Sequence, residues 1–318
     1  MAAKLVRKLL FMKPVRRAIS LLQRIVLPGF GGFSLYHVSR FFFHALSQGN
    51  LVDRAAAIAF RLFLALFPAL IVLLTLIPFI PVPDFQVKLL GAFHTMLPQE
   101  VYAFIEGLLH DLVLRKHSTL LSVSFLFGIF LASNSMHAIL QGFSRSAYVT
   151  EWYRPWKQRV VSLLLMFSFS LLCVLATAVL TASSWGRSLL HDHGDHFHFL
   201  ESAGFTLVRW ATSVMLVLVA ISLLYYAGSP GQRRFHLFTP GAVLAIGLIF
   251  LLSRALAFVF NNVTDYNALY GSIGVILAVQ LWLHFNMIVL LIGYELNTSI
   301  AKARREHSRK LQPAEGRA

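Results

Sequence analysis

Apolar positions run almost unbroken for twenty or more residues at six places, at about 55–80, 119–142, 160–185, 206–228, 239–260 and 271–297. Crossing a hydrocarbon core of about 30 Å takes roughly 20 helical residues, so each run predicts a transmembrane helix. The fold expected is all-α, a polytopic membrane protein with six spans and amphipathic interfacial helices. Between the first two spans, Val101, Phe104, Ile105, Leu108, Leu109 and Leu112 recur at i, i+3, i+4, i+7, i+8 and i+11, the stripe of an amphipathic helix. Phe85, Leu89, Leu90 and Phe93 predict a shorter helix before it, broken near Pro98. The whole segment 84–118 is expected on the outer bilayer face or capping the bundle.

Residues 1–54 interleave nine Lys/Arg with Leu5, Val6, Leu9, Leu10, Ile19 and Leu22, interrupted at Pro14 and Pro28-Gly29. This is the pattern of an amphipathic segment lying on anionic lipid. It holds no continuous apolar stretch followed by a small-residue cleavage site, so a retained cytoplasmic arm is expected over a signal peptide, with an organellar transit peptide, similar in chemistry, as the alternative. The organisation read from the chain is an arm at 1–54, a six-helix domain at 55–297 and a basic tail at 298–318, expected to be solvated and frayed from about 302.

Composition excludes the ordinary alternatives. Of 318 residues, 57% are hydrophobic and 13% charged, where soluble domains average about 45–50% and about 25%. Disorder is ruled out, and a soluble core of this size could not hide so much apolar surface. Cys173 stands alone, which excludes a disulfide framework. The net charge of +15 would suggest nucleic acid in a soluble chain. Here its distribution explains it: the arm, the loops 143–159 and 229–238 and the tail hold 21 Lys/Arg and 4 acids, whereas 84–118, 186–205 and 261–270 hold 4 and 8. The positive-inside rule then places both termini in the cytoplasm, and no specific nucleic-acid partner is implied.

Four segments, in order and spacing, resemble the YihY/BrkB family of bacterial inner-membrane proteins, the virulence factor BrkB family once labelled ribonuclease BN. They are Asp53-Arg54-Ala55-Ala56-Ala57 running to Leu66-Phe67-Pro68, and Gly142-Phe143-Ser144-Arg145-Ser146-Ala147-Tyr148 followed by Arg154-Pro155-Trp156-Lys157. The third runs from Pro230 through Arg233-Arg234 to Pro240-Gly241-Ala242. The fourth joins Tyr270-Gly271-Ser272-Ile273-Gly274 to Trp282 and Gly293-Tyr294-Glu295-Leu296-Asn297. The resemblance implies six spans with both ends inside, an inner-membrane location and a role in the cell envelope, including resistance to serum killing. It also implies structural roles for Pro68, Arg145, Pro155, Pro240, Gly241, Tyr270, Gly271, Gly274 and Asn297. The ribonuclease label reads as a misassignment, and Arg61, the His-rich segment and the long arm match no family motif.

Charges within spans are the first candidates for function, since each costs about 2.5–3.5 kcal/mol at the bilayer centre on insertion scales. Arg61 and Glu295 lie at similar depths from the cytoplasmic side and form a candidate interhelix ion pair. Arg209 and Arg254, in the outer half, could hold a lipid phosphate through paired hydrogen bonds. On the last span, Gln280, His284 and Glu295 share a face with Tyr294 alongside, while Asn286, Gly293 and Asn297 collect opposite. The polar face is a candidate pathway or lipid contact, against a bland role in holding helices together. His191, His193, His196 and His198 carry metal-donor chemistry in a loop, but no defined metal site or cofactor is expected. No HExxH, GxSxG, P-loop or GxGxxG motif occurs, and the cytoplasmic acids are widely separated, so no catalytic residue is assigned. The expected function is non-enzymatic: moving or positioning a lipid or other amphiphile, or supporting the envelope. Expected partners are membrane lipids, with anionic headgroups at the cytoplasmic face, and envelope proteins. A scaffold without transport and a membrane-bound ribonuclease are the alternatives.

Overall fold

The computed structural model describes residues 34–48, 50–81, 84–96, 99–191, 198–231, 234–262 and 266–311, and among them the chain is helical with no β-strand. The elements are α1 (Leu35–Gln48), α2 (Leu51–Leu76) with a 3-10 turn at Ile77–Phe79, α3 (Phe85–Met96), α4 (Gln99–Leu114) and α5 (Ser118–Ser144). They continue with α6 (Pro155–His191), α7 (His198–Ala227), α8 (Pro240–Asn262) and α9 (Tyr266–Leu311). Most of the arm, residues 1–33, together with Pro98 and the end of the tail, lies outside the described residues.

Six stretches are long and apolar enough to cross a membrane: Leu51–Phe79, Ser118–Ser144, Pro155–Val179, Thr206–Ala227, Pro240–Val259 and Ile276–Glu306. These are the six runs expected from hydropathy, displaced by up to nine residues at their ends. Leu126, Leu171, Leu207 and Leu251 stand more than half exposed on different spans. Water would penalise such exposed apolar side chains in number, and lipid does not.

Local sequence sets the helix ends. Pro155 and Pro240 open α6 and α8, where a missing N–H costs nothing and the fixed φ suits a first helical position. Thr239 caps α8, its Oγ1 accepting from the Ala242 N–H at 3.2 Å. Pro68 lies buried within α2, and α5 meets it with Gly128, where an added Cβ would sit 3.7 Å from the Pro68 Cβ.

The described chain divides into two compact units. One comprises 1–54, 140–251 and 288–318, and the other 55–139 and 252–287, with divisions inside α2, α5, α8 and α9. In the first unit α6 packs on α7, and Ile300 of α9 packs with Val38 of α1 and Leu296. In the second unit α3 and α4 pack on each other, and α4 packs on the 3-10 turn. Ile77, Leu90, Tyr102, Leu109 and Val113 form their core.

Of the predicted stripe on α4, Leu109 and Leu112 are buried, with Val113 beside them, and Leu108 is 59% exposed. Leu90 and Ile77 pack in one cluster with Tyr102, Leu109 and Val113 of this helix. The chain does not fray from residue 302, because α9 continues to Leu311. Ala301, Lys302, Ala303, Arg304, Arg305 and Glu306 are good helix formers, Lys302 pairs with Glu306 at 3.5 Å, and burial of Ile300 and Ala303 anchors this extension.

Candidate functional site

The first unit contains a buried polar network built on α2, α5 and α9. Arg54 lies in the first turns of α2, and its Nη1 donates to Glu295 Oε1 at 2.9 Å. The other terminal nitrogen, Nη2, donates to the Gly142 carbonyl at the end of α5 at 2.7 Å. Ser146, just beyond that helix, donates to Glu295 Oε2 at 2.6 Å. The two charged side chains are 3% and 0% exposed, so each carboxylate oxygen and both terminal guanidinium nitrogens are satisfied inside the protein, as buried charge requires. Ser146 Oγ also lies 3.3 Å from Thr298 Oγ1, which extends the network one turn along α9.

A second layer fixes α7, α8 and α9. Phe143 stacks on Tyr294 with ring centroids 4.1 Å apart and meets Tyr225 edge-on at 5.9 Å. The Tyr225 hydroxyl donates to the Leu290 carbonyl at 2.8 Å, and the Tyr294 hydroxyl donates to the Gly228 carbonyl. At Gly241 and Gly293 the backbones of α8 and α9 approach so closely that a Cβ on either would collide with the other's carbonyl oxygen. Asn297 uses that approach: its Oδ1 accepts from the Gly241 N–H at 2.8 Å, and its Nδ2 donates to Thr239 Oγ1 at 3.1 Å. One side chain of α9 thus satisfies an N–H left over at the start of α8.

Beside this layer is a cavity of about 540 Å³, walled by the loop 148–151, the end of α7, the loop and first turn leading into α8, and α9 from Tyr294 to Arg305. Tyr225, Tyr294, Asn297 and Thr298 line it, as do Glu151, Tyr226, Lys302, Arg304 and Arg305. Tyr148, also in the wall, donates to the Phe41 carbonyl at 3.1 Å. Burial, and then the charges of Glu295 and Glu306, push its pKa up against the opposing pull of Arg40, which keeps the hydroxyl a donor. Nearby, Trp152 Nε1 donates to Gln158 at 2.9 Å, and Lys157 lies over the Tyr153 ring at 5.8 Å. Burial also raises the Tyr153 pKa.

The sequence profile of the virulence factor BrkB family matches residues 42–317. The chain belongs to that family. It is also 28% identical over 265 residues to the ribonuclease-like protein YfkH of Bacillus subtilis (strain 168), which covers 82% of this chain and 94% of that protein. No solved structure matches it.

Several BrkB-family motif residues now have positions. Pro240, Gly241 and Asn297 form the α8–α9 contact, Pro155 begins α6 and Pro68 lies in α2. Arg145 is exposed in the turn after α5, and Gly274 is buried in α9. Tyr270 and Gly271 belong to the early turns of α9, and the Tyr270 side chain lies outside the described part. Glu295 and Tyr294 are at the centre of the site.

The expected Arg61–Glu295 pair is corrected: Glu295 is taken by Arg54. Arg54 precedes Arg61 by seven residues, about 10 Å of helix. In the second unit, the Arg61 carbonyl accepts from Ser135 Oγ at 2.9 Å. Gln280 and His284 are half-buried in the second unit, where Gln280 Oε1 is buried without a hydrogen bond among the described residues. Arg209 and Arg254 are exposed and belong to different units. His193 and His196 lie outside the described residues, as do the side chains of His191 and His198. Among the described residues no group of three His, Cys, Asp or Glu is placed to hold a metal.

Sequence reading missed Arg54, Ser146, Phe143, Tyr225, Thr298 and the cavity. Arg54, Phe143 and Ser146 stand in the quoted motifs, which was the available signal. Tyr225 and Thr298 had none beyond an aromatic and a hydroxyl near span ends.

Proposed function

We propose that this protein is a non-enzymatic, multi-pass protein of the bacterial inner membrane that positions or moves a lipid or similar amphiphile and thereby supports the cell envelope. The observation that carries the reading is the cavity of about 540 Å³ at the ends of apolar spans, with Lys302, Arg304 and Arg305 in its wall. Its volume lies within the range of about 300–1,000 Å³ usual for small-ligand sites. An amphiphile has the matching order of polarity, with chains along the lipid-facing helices and a headgroup among the cations. The charge bias along the chain supports a cytoplasmic position for this end and for both termini. The three cations in the cavity wall supply anion-binding chemistry, and we therefore favour binding over phosphodiester cleavage, although YfkH carries a ribonuclease-like name.

Ala301 lines the cavity and is exposed, so Ala301→Trp fills it without disturbing a core. Full-length protein in vesicles is expected to retain lipid in native mass spectrometry and to speed exchange of a fluorescent-headgroup lipid between leaflets. Ala301→Trp should lower both. Wild-type protein that retains no lipid above detergent background and exchanges it no faster than protein-free vesicles overturns the reading.

A further inference from the structure

The cavity has a committed floor and an open rim. In the floor, Tyr225 and Tyr294 donate to carbonyls, and Asn297 uses both ends of its amide on α8. These donors are spent on the helix packing. On the rim, Arg304 and Arg305 are exposed, and no ion pair involves either among the described residues. Lys302 shares Glu306 at 3.5 Å and remains partly exposed. Glu151, from the loop 148–151, faces the same cavity, exposed and without an ion-pair partner among the described residues.

The rim therefore carries both signs of charge. A purely anionic headgroup would answer the arginines and be repelled by Glu151; a purely cationic one would have the opposite problem. We propose that the cavity is a site for a phosphate diester bearing a primary ammonium group, the phosphoethanolamine type of headgroup. Arg304 and Arg305 take the phosphate oxygens, Lys302 adds positive potential, and Glu151 takes the ammonium. Guanidinium suits phosphate because its N–H groups form paired, charge-assisted bonds. The Tyr226 hydroxyl, also on the wall, adds a neutral donor. This assignment rests on the proposed lipid-handling function and names the ligand class within it.

The test is native mass spectrometry of the full chain released from nanodiscs holding equal amounts of phosphatidylethanolamine and phosphatidylglycerol. Wild type should retain the ethanolamine lipid about tenfold over the glycerol lipid, the equivalent of about 1.4 kcal/mol. Glu151→Gln should bring that ratio to one or below while total retention persists. Arg304→Gln/Arg305→Gln should lose both lipids. All three positions are exposed, and unchanged thermal midpoints would show that the variants fold. Soluble glycerophosphoethanolamine separates the sources. Displacement of bound lipid by it supports a site for the free headgroup, and retention despite it supports a site for the intact lipid. Equal retention of the two lipids by wild type, or a preference untouched by Glu151→Gln, overturns the proposal. If Ala301→Trp still lowers retention in that case, the broader lipid-handling reading stands; no retention by wild type removes both.

Discussion

Arg54 and Glu295 sit where water does not reach, and each would cost several kcal/mol alone in that position. Three hydrogen bonds, between Arg54 and Glu295, Arg54 and Gly142, and Ser146 and Glu295, offset that cost. The consequence is asymmetric. Glu295→Gln leaves a buried guanidinium without its counter-charge, and Arg54→Met leaves a buried carboxylate, so each should destabilise by about 3–5 kcal/mol. The double variant Arg54→Met/Glu295→Leu removes both charges and should lose much less than the sum. Denaturant unfolding in micelles measures this cycle, and strictly additive losses would show that the pair is not coupled. Glu295 was legible in the sequence because an acid inside an apolar run is conspicuous. Its partner was not, because Arg54 stands one residue outside the run and merges with the basic arm. Hydropathy marks charges that lipid would reject, but it does not mark those placed at a span's threshold.

Helices α8 and α9 cross at Gly241 and Gly293, where each backbone occupies the space a neighbouring Cβ would need. Close approach also lets Asn297 reach the Gly241 N–H, so one substitution strains packing and a hydrogen bond together. Gly241→Ala should destabilise by about 1–3 kcal/mol. Gly247 provides the control on the same helix, since a Cβ there meets nothing within 4 Å. Gly247→Ala should be neutral or stabilising by about 0.5–1 kcal/mol, through the helix propensity of alanine. Thermal unfolding of the two variants in the same detergent decides the matter; equal midpoints would show that the crossing tolerates a methyl group. The spans themselves were readable because bilayer thickness sets their length. The facing of α4 was not: lipid and protein interior are equally apolar, so Leu108 and Leu109 look alike in sequence, though one is exposed and the other buried. The length of α9 was hidden by its polar end, where helix formers read equally well as a solvated tail.

Across the whole molecule, the arm, the loops 143–159 and 229–238 and the tail carry 21 of the 28 Lys/Arg. That imbalance predicts the orientation, and with it the side from which an amphiphile reaches the cavity. Thr150 belongs to the cavity wall, whereas Ser118 begins α5 after the helix pair α3 and α4. Both are exposed, and replacing the single native thiol, Cys173→Ser, gives a background free of other cysteines. With a membrane-impermeant maleimide, Ser118→Cys should label in intact spheroplasts, and Thr150→Cys should label only after permeabilisation. The loop 143–159 joins the ends of α5 and α6 and holds four Lys/Arg against one acid, so its retention in the cytoplasm is the outcome the charge bias demands. Labelling in the reverse order would put the arginine-bearing rim on the outer face. The cavity would then receive headgroups from the outer leaflet, and a direction of lipid movement inferred from a cytoplasmic site would have to be inverted.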